Sequence, residues 1–148
     1  MKIDFKNKIN YLIIIIFFCI SDQLSKIYVT SNLHKFLNKD FLIFTIDLVR
    51  NYGAAFNIFS GNRLFLSLIS IISTILLSYF IFINENKLIN KYGLSFIIAG
   101  SIGNGLDRVF DGYVVDFIKI KFIDFPVFNI ADIVINIGVL ILIISYFR

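Results

Sequence analysis

Residues Leu12 to Lys26 read LIIIIFFCISDQLSK. Nine apolar residues in succession are followed, within one helical turn, by an aspartate and a lysine four positions apart. An apolar run of this kind belongs in lipid, and a charge pair at i,i+4 on one face of its helix needs a protected neighbourhood. Working outward, the run extends roughly from Ile9 to Tyr28, behind Lys2, Lys6 and Lys8. That start resembles a secretory signal peptide, but no small-x-small cleavage site follows it, so a retained first span is expected. Cys19 follows Phe17-Phe18 rather than small residues, so the chain is not itself expected to be a lipoprotein precursor.

Three further runs are of crossing length: about residues 64–83, 92–109 and 128–147. The composition agrees, with 58% of 148 residues hydrophobic and a mean hydropathy of +0.86. A soluble domain would carry roughly 45–50% apolar residues. The expected fold is a single all-α membrane domain, residues 1–148, a four-transmembrane-helix bundle. A tight hairpin, Asn84 to Lys91, joins the second and third spans. Ser67, Ser70, Ser73, Thr74 and Ser78 in the second span read as packing residues whose hydroxyls bond back to their own helix.

Four spans put both termini on one side. Lys2, Lys6, Lys8, Lys87, Lys91 and Arg148 lie on that side, six charges in short segments. The other side has eight, Lys26, Lys35, Lys39, Arg50, Arg63, Arg108, Lys119 and Lys121, spread over far more chain. Raw counting favours the opposite answer. Density favours cytoplasmic termini. The net charge of +4 is distributed over span ends, which suits anionic headgroups and argues against nucleic acid. One Cys and one His leave no metal cluster to build, no cofactor is expected, and His34 receives no role.

The two outer segments differ from the spans. Residues 35–50, KFLNKDFLIFTIDLVR, and 113–123, YVVDFIKIKFI, are rich in Phe, Ile and Val. Ile118, Ile120 and Phe122 alternate with Lys119 and Lys121, the period of a half-buried strand. A small β-sheet on the outer face follows, with residues 36–63 as a candidate closing loop.

Polar residues gather toward that end: Asp22 with Lys26, Asn104 with Asp107 and Arg108, Asn129 with Asp132, and Asn136 one turn deeper. A purely structural network would have no cause to favour one leaflet, whereas a site opening to one face would. Asp116, after the third run, and Asp132, one turn into the fourth, are the pair that suggests chemistry. Two adjacent carboxylates share a proton, so one serves as base and the other as acid, and a peptide can be hydrolysed with no covalent nucleophile. Spacing alone leaves their convergence open. It leaves open too a small ion-coupled transporter, for which intramembrane charges would line a path, and an adaptor in which they are assembly glue.

Four segments together resemble the lipoprotein signal peptidase family (signal peptidase II): Asp22-Gln-Leu-Ser-Lys26, Asn51-Tyr-Gly53-Ala54-Ala55-Phe56, Gly100-Ser-Ile-Gly-Asn104-Gly-Leu-Asp107-Arg108-Val109 continuing to Gly112-Tyr-Val-Val-Asp116-Phe117, and Phe128-Asn129-Ile-Ala-Asp132. They occur in order over about residues 10–147. The resemblance implies a multi-pass enzyme of the bacterial plasma membrane. It would cleave prolipoproteins just before a diacylglyceryl-modified cysteine, with its active site toward the outer face and globomycin-type peptides as inhibitors. Asp116 and Asp132 take the catalytic positions, and Asp22, Lys26, Asn51, Gly53, Ala54, Asn104, Arg108 and Asn129 the supporting ones. A monomer is expected. Gly105, Ser101, Asn57 and Asn136 depart from the family pattern and bear on substrate fit rather than on the reaction.

Overall fold

The computed structural model describes residues 5–36, 39, 41–54, 58–82 and 88–147. Among them the element order is α1 (Phe5–Ser31), α2 (Leu33–Phe36), β1 (Phe44–Asn51), α3 (Arg63–Phe82), α4 (Leu88–Phe110), β2 (Val114–Ile120) and α5 (Ile130–Tyr146). Each expected apolar run lies on one of the four long helices. Residues 84–87 of the hairpin, residues 55–56 of the second motif, the departing Asn57, and Lys2 and Arg148 lie outside the described residues. Lys91 is corrected: α4 begins at Leu88, and Lys91 sits inside it, buried, rather than in the hairpin.

Two of the helices, over Lys8–Ser31 and Arg63–Phe82, are long and apolar enough to cross a membrane, and α5 is a shorter apolar helix. At about 1.5 Å per residue, a 20-residue helix reaches about 30 Å, the thickness of a bilayer core. Large apolar side chains cover the outward faces of these helices, among them Phe17, Ile27, Ile75 and Leu140. Burial in this protein therefore takes in polar side chains as well as apolar ones. The most enclosed of the long helices is α4, which buries Lys91, Asn104 and Asp107 and touches α1, α3 and α5. Its N-terminal half packs with α1 and α3 in an apolar cluster of Tyr11, Ile15, Ile81, Leu94 and Ile98. The Tyr11 and Tyr92 rings meet edge to face at 5.3 Å.

Small residues bring α4 against α5. A Cβ at Gly138 would meet the Gly93 carbonyl oxygen at 2.5 Å and Ile97 Cγ1 at 2.7 Å. Gly138→Leu should therefore force the helices apart and cost about 1–3 kcal/mol or more. Thermal unfolding in detergent checks this, with Ile137→Leu, on the exposed face, expected to melt as wild type.

β1 and β2 pair antiparallel, Phe44 opposite Ile120 and Asn51 opposite Val114. The register shifts by one residue between Ile46 and Val49. Such a bulge re-aims the residues beyond it. The strand at 113–123 is shorter than the alternation implied: it ends at Ile120, and Phe122 lies past it, 73% exposed. Among the described residues of the 35–50 segment, strand begins at Phe44. The inward face of β2 carries Val114 and Asp116, both buried, while Lys119 points out toward Asp47 at 3.2 Å. β2 also bonds to the segment leading into α5, Ile118 N–H to Phe128 O at 2.8 Å and Phe128 N–H to Ile118 O at 3.0 Å.

Candidate active site

α4 ends where Asp111 and Gly112 both donate to the Asp107 carbonyl. Gly112 has φ +84°, a left-handed conformation that glycine takes without strain. Arg63 closes the same end: its guanidinium donates to the carbonyls of Arg108, at 2.9 Å, and of Val109. A cation there also suits the negative end of the helix dipole. This turn sends β2 back over α4 and lowers Asp116 onto the bundle.

Asp132 reaches the same place by a different route. Asn129 is the N-cap of α5 and forms a capping box with it: Asp132 N–H donates to Asn129 Oδ1 at 3.0 Å, and Asn129 N–H donates to Asp132 Oδ2 at 3.1 Å. The Asn129 amide then donates to Asp116 Oδ1 at 2.6 Å. One asparagine thus ties together the two carboxylates that the sequence singled out. Asn51 Nδ2 donates to the other Asp116 oxygen at 2.9 Å, and Asn104 Nδ2 to Asp132 Oδ1 at 2.8 Å.

The orientation of these amides is fixed from behind. Asn104 Oδ1 accepts from Lys26 Nζ at 3.0 Å and from Asn129 at 3.1 Å, so its NH2 has to face Asp132. Lys26, 3% exposed, is held by Asp22 at 2.7 Å and by Asp107 at 2.8 Å. Asp22 also accepts the Ala131 N–H at 2.9 Å, pinning α1 to the start of α5. Asp107 was not among the expected site residues, and Gln23, which donates to Asp107 Oδ1 at 2.8 Å, was missed entirely. The signal for Asp107 was its i+3 spacing from Asn104. Gln23 carried none.

Arg108 spans two elements, donating to Asn104 O at 3.3 Å and to Gly53 O at 3.0 Å, and its buried Nε has no partner among the described residues. Gly53 N–H in turn caps Asn51 Oδ1 at 2.9 Å. Asp116 is 2% exposed, and burial pushes its carboxyl up to about 6. The Asn51 amide opposes that shift, the neighbouring Asp132 adds to it, and Asn129 and Lys26 oppose it.

Both aspartates line a cavity of about 480 Å³, walled by α3 (Ile69, Ser70, Ser73), α4 (Ser101, Asn104, Arg108), α5 (Ile133, Ile135, Asn136) and, nearer the sheet, Asn51, Ala54 and Phe125–Phe128. α3 and α5 pack on α4 with scarcely any contact with each other, so the cavity lies in the gap between them. The Ser70, Ser73 and Thr74 hydroxyls bond back to their own helix as expected, yet Ser70 and Ser73 also line the cavity. Ser67 differs, because its buried hydroxyl has no partner among the described residues. Among the described residues no three His, Cys, Asp or Glu side chains gather to hold a metal ion.

All eight supporting residues predicted from sequence thus touch the two aspartates, one another or the cavity. The model of the family described as signal peptidase (SPase) II matches residues 14–148. A lipoprotein signal peptidase of Clostridium tetani is 39% identical over 141 residues, covering 90% of this chain and 89% of that protein. One of Lactiplantibacillus plantarum is 35% identical, covering 93% and 94%. Two solved structures described as bacterial membrane enzymes superpose with TM-scores of 0.83 and 0.80, at 37% and 36% identity. They cover 93% and 94% of this chain, and 87% and 93% of their own.

Proposed function

The chain belongs to the signal peptidase II family, proteases that remove signal peptides from prolipoproteins, and we propose that it does so as an intramembrane aspartic endopeptidase. Its substrate is a diacylglyceryl-modified prolipoprotein cut just before the lipidated cysteine. The observation that carries this reading is the double attachment of Asn129 to Asp116 and Asp132 at the head of the gap between α3 and α5. A substrate anchored in the bilayer can slide sideways into such a gap without leaving lipid. In this reading all four long helices cross the plasma membrane. Both termini are cytoplasmic, and the sheet with the aspartates lies at the outer face. Globomycin-type peptides would compete for the same cavity.

The environments of the two carboxylates divide the labour. Asp132 accepts N–H groups of Asn104 and Asn129 in the first turn of α5. Asp116 lies on a strand, and burial favours its protonated form. Asp132 therefore takes a proton from water as the oxygen attacks the scissile carbonyl, while Asp116 gives its proton to the carbonyl oxygen. In collapse of the tetrahedral intermediate Asp132 protonates the leaving amine and Asp116 recovers its proton from the diol. Atoms balance with one water consumed.

Mass spectrometry of products from a diacylglyceryl-peptide tests the cut. A new amino terminus anywhere but at the modified cysteine overturns the reading. The pH profile tests the roles. kcat/KM should fall with an alkaline limb near pH 6 as Asp116 loses its proton. Asn51→Ala removes a donor that favours the carboxylate, so the limb should move to higher pH. Folding follows the same sign: because the Asp116 carboxyl is raised from 3.8 to about 6, its contribution to stability is complete below about pH 4 and is lost as pH rises through 6.

A further inference from the structure

A second cavity, of about 440 Å³, meets the first at Asn51, Asp116, Pro126 and Val127 and then runs along the sheet edge past Arg50, Tyr52 and Ser60. We propose that this cavity is the subsite for the residues that follow the lipidated cysteine, and that Arg50 makes it prefer an acidic side chain there. The inference rests on the proposed function and deepens it.

Asp116 belongs to both cavities. A peptide whose scissile bond lies at that aspartate must place one half of its length in each. The first cavity descends between α3 and α5 among Ile69, Ile133 and Ile135, surroundings that match the apolar signal peptide. The second then takes the other half, the start of the mature protein, which has to leave toward water. Its wall is of different chemistry. Arg50, at the end of β1, is exposed, and its guanidinium carbon stands 5.0 Å from the centroid of the Tyr113 ring. Tyr113 is itself braced by Tyr52 at 5.6 Å. Stacking on a ring restrains the guanidinium and leaves its edge N–H groups free to meet a carboxylate or carbonyl. Among the described residues no carboxylate is within ion-pair distance of Arg50. Asp47, on the same strand, pairs with Lys119 instead. An unneutralised cation at the rim of a cleft attracts anionic ligands and repels cationic ones.

The test uses three diacylglyceryl peptides differing only in the residue after the modified cysteine, Asp, Ser or Lys, in a neutral detergent. Wild type should give kcat/KM in the order Asp, Ser, Lys, with about a tenfold span between the extremes, as for two partly exposed charge interactions of opposite sign. Arg50→Gln should bring the Asp-to-Lys ratio close to one. Arg50→Glu should reverse the order. Melting temperatures equal to wild type exclude misfolding as the cause. An Asp-to-Lys ratio unchanged in Arg50→Gln overturns the subsite while leaving the proposed function intact. If wild type cleaves none of the three, the proposed function and the subsite fall together.

Discussion

Asp116→Asn and Asp132→Asn are each expected to lower kcat by at least about a thousandfold, with either variant alone nearly as damaging as both together. The carboxylates act as one unit, so the loss of either removes the whole proton relay. Asparagine is close in size and keeps hydrogen-bonding capacity, so the fold should survive. At 116 the donors Asn51 and Asn129 would still find one oxygen. At 132 the capping box would keep an acceptor for the Asn129 N–H. The measurement is cleavage of a diacylglyceryl-modified prolipoprotein by purified chain in detergent, alongside melting temperature and retention of an uncleaved substrate. Persistent cleavage in either well-folded variant would remove that residue from the dyad. Retained binding without cleavage is the expected signature, and neither a transporter nor an adaptor would produce it.

Lys26→Met should be the most costly single change to stability, on the order of 3–5 kcal/mol. Lys26 is the cation for two buried carboxylates, Asp22 and Asp107, 1% and 5% exposed. Its removal leaves both without a counter-charge where water cannot replace it. Methionine fills much of the same volume, so packing loss contributes little. A fall in melting temperature of about 10 °C or more in detergent is expected. Asp22→Asn in the same chain should return part of it, since one of the stranded charges is then gone. Activity should also fall beyond the loss of folded protein, because Asn104 would no longer be held with its amide toward Asp132. A melting temperature within a degree or two of wild type would mean that the trio is solvated in the membrane-bound state.

The supporting residues were legible in sequence to very different degrees. Asp22 and Lys26 announce their pairing, because spacing of four on a helix fixes a shared face. Asn129 and Asp132 do the same through their spacing of three, and only the structure shows that the pair forms a capping box. Asp107 as second partner of Lys26 could not be read, since that contact joins α1 to α4 across 81 positions of chain. Lys91 was misplaced because a charged residue at the edge of an apolar run looks like a loop residue, yet α4 begins one turn earlier and buries it. Phe122 continued an alternating pattern that the chain abandons at Ile120, where pairing with β1 runs out. Gln23 gave no warning at all, being one polar residue among several in its turn.

The sequence by itself determined that long apolar helices would dominate and which carboxylates needed a reason to exist. It also carried, through four ordered motifs, the family. The helices and the misplaced charges are matters of local composition and periodicity, which act over a few residues, whereas the family was legible only as a resemblance of motifs. The tertiary structure alone decided that Asp116 and Asp132 share Asn129 and line one cavity. Their approach depends on a glycine turn after α4, a bulged strand pair and a bridge from Ile118 to Phe128. It also decided the gap between α3 and α5, because both pack on α4 rather than on each other. Hydrogen bonds and close packing between distant segments set those positions, and no pattern along the chain encodes their distances.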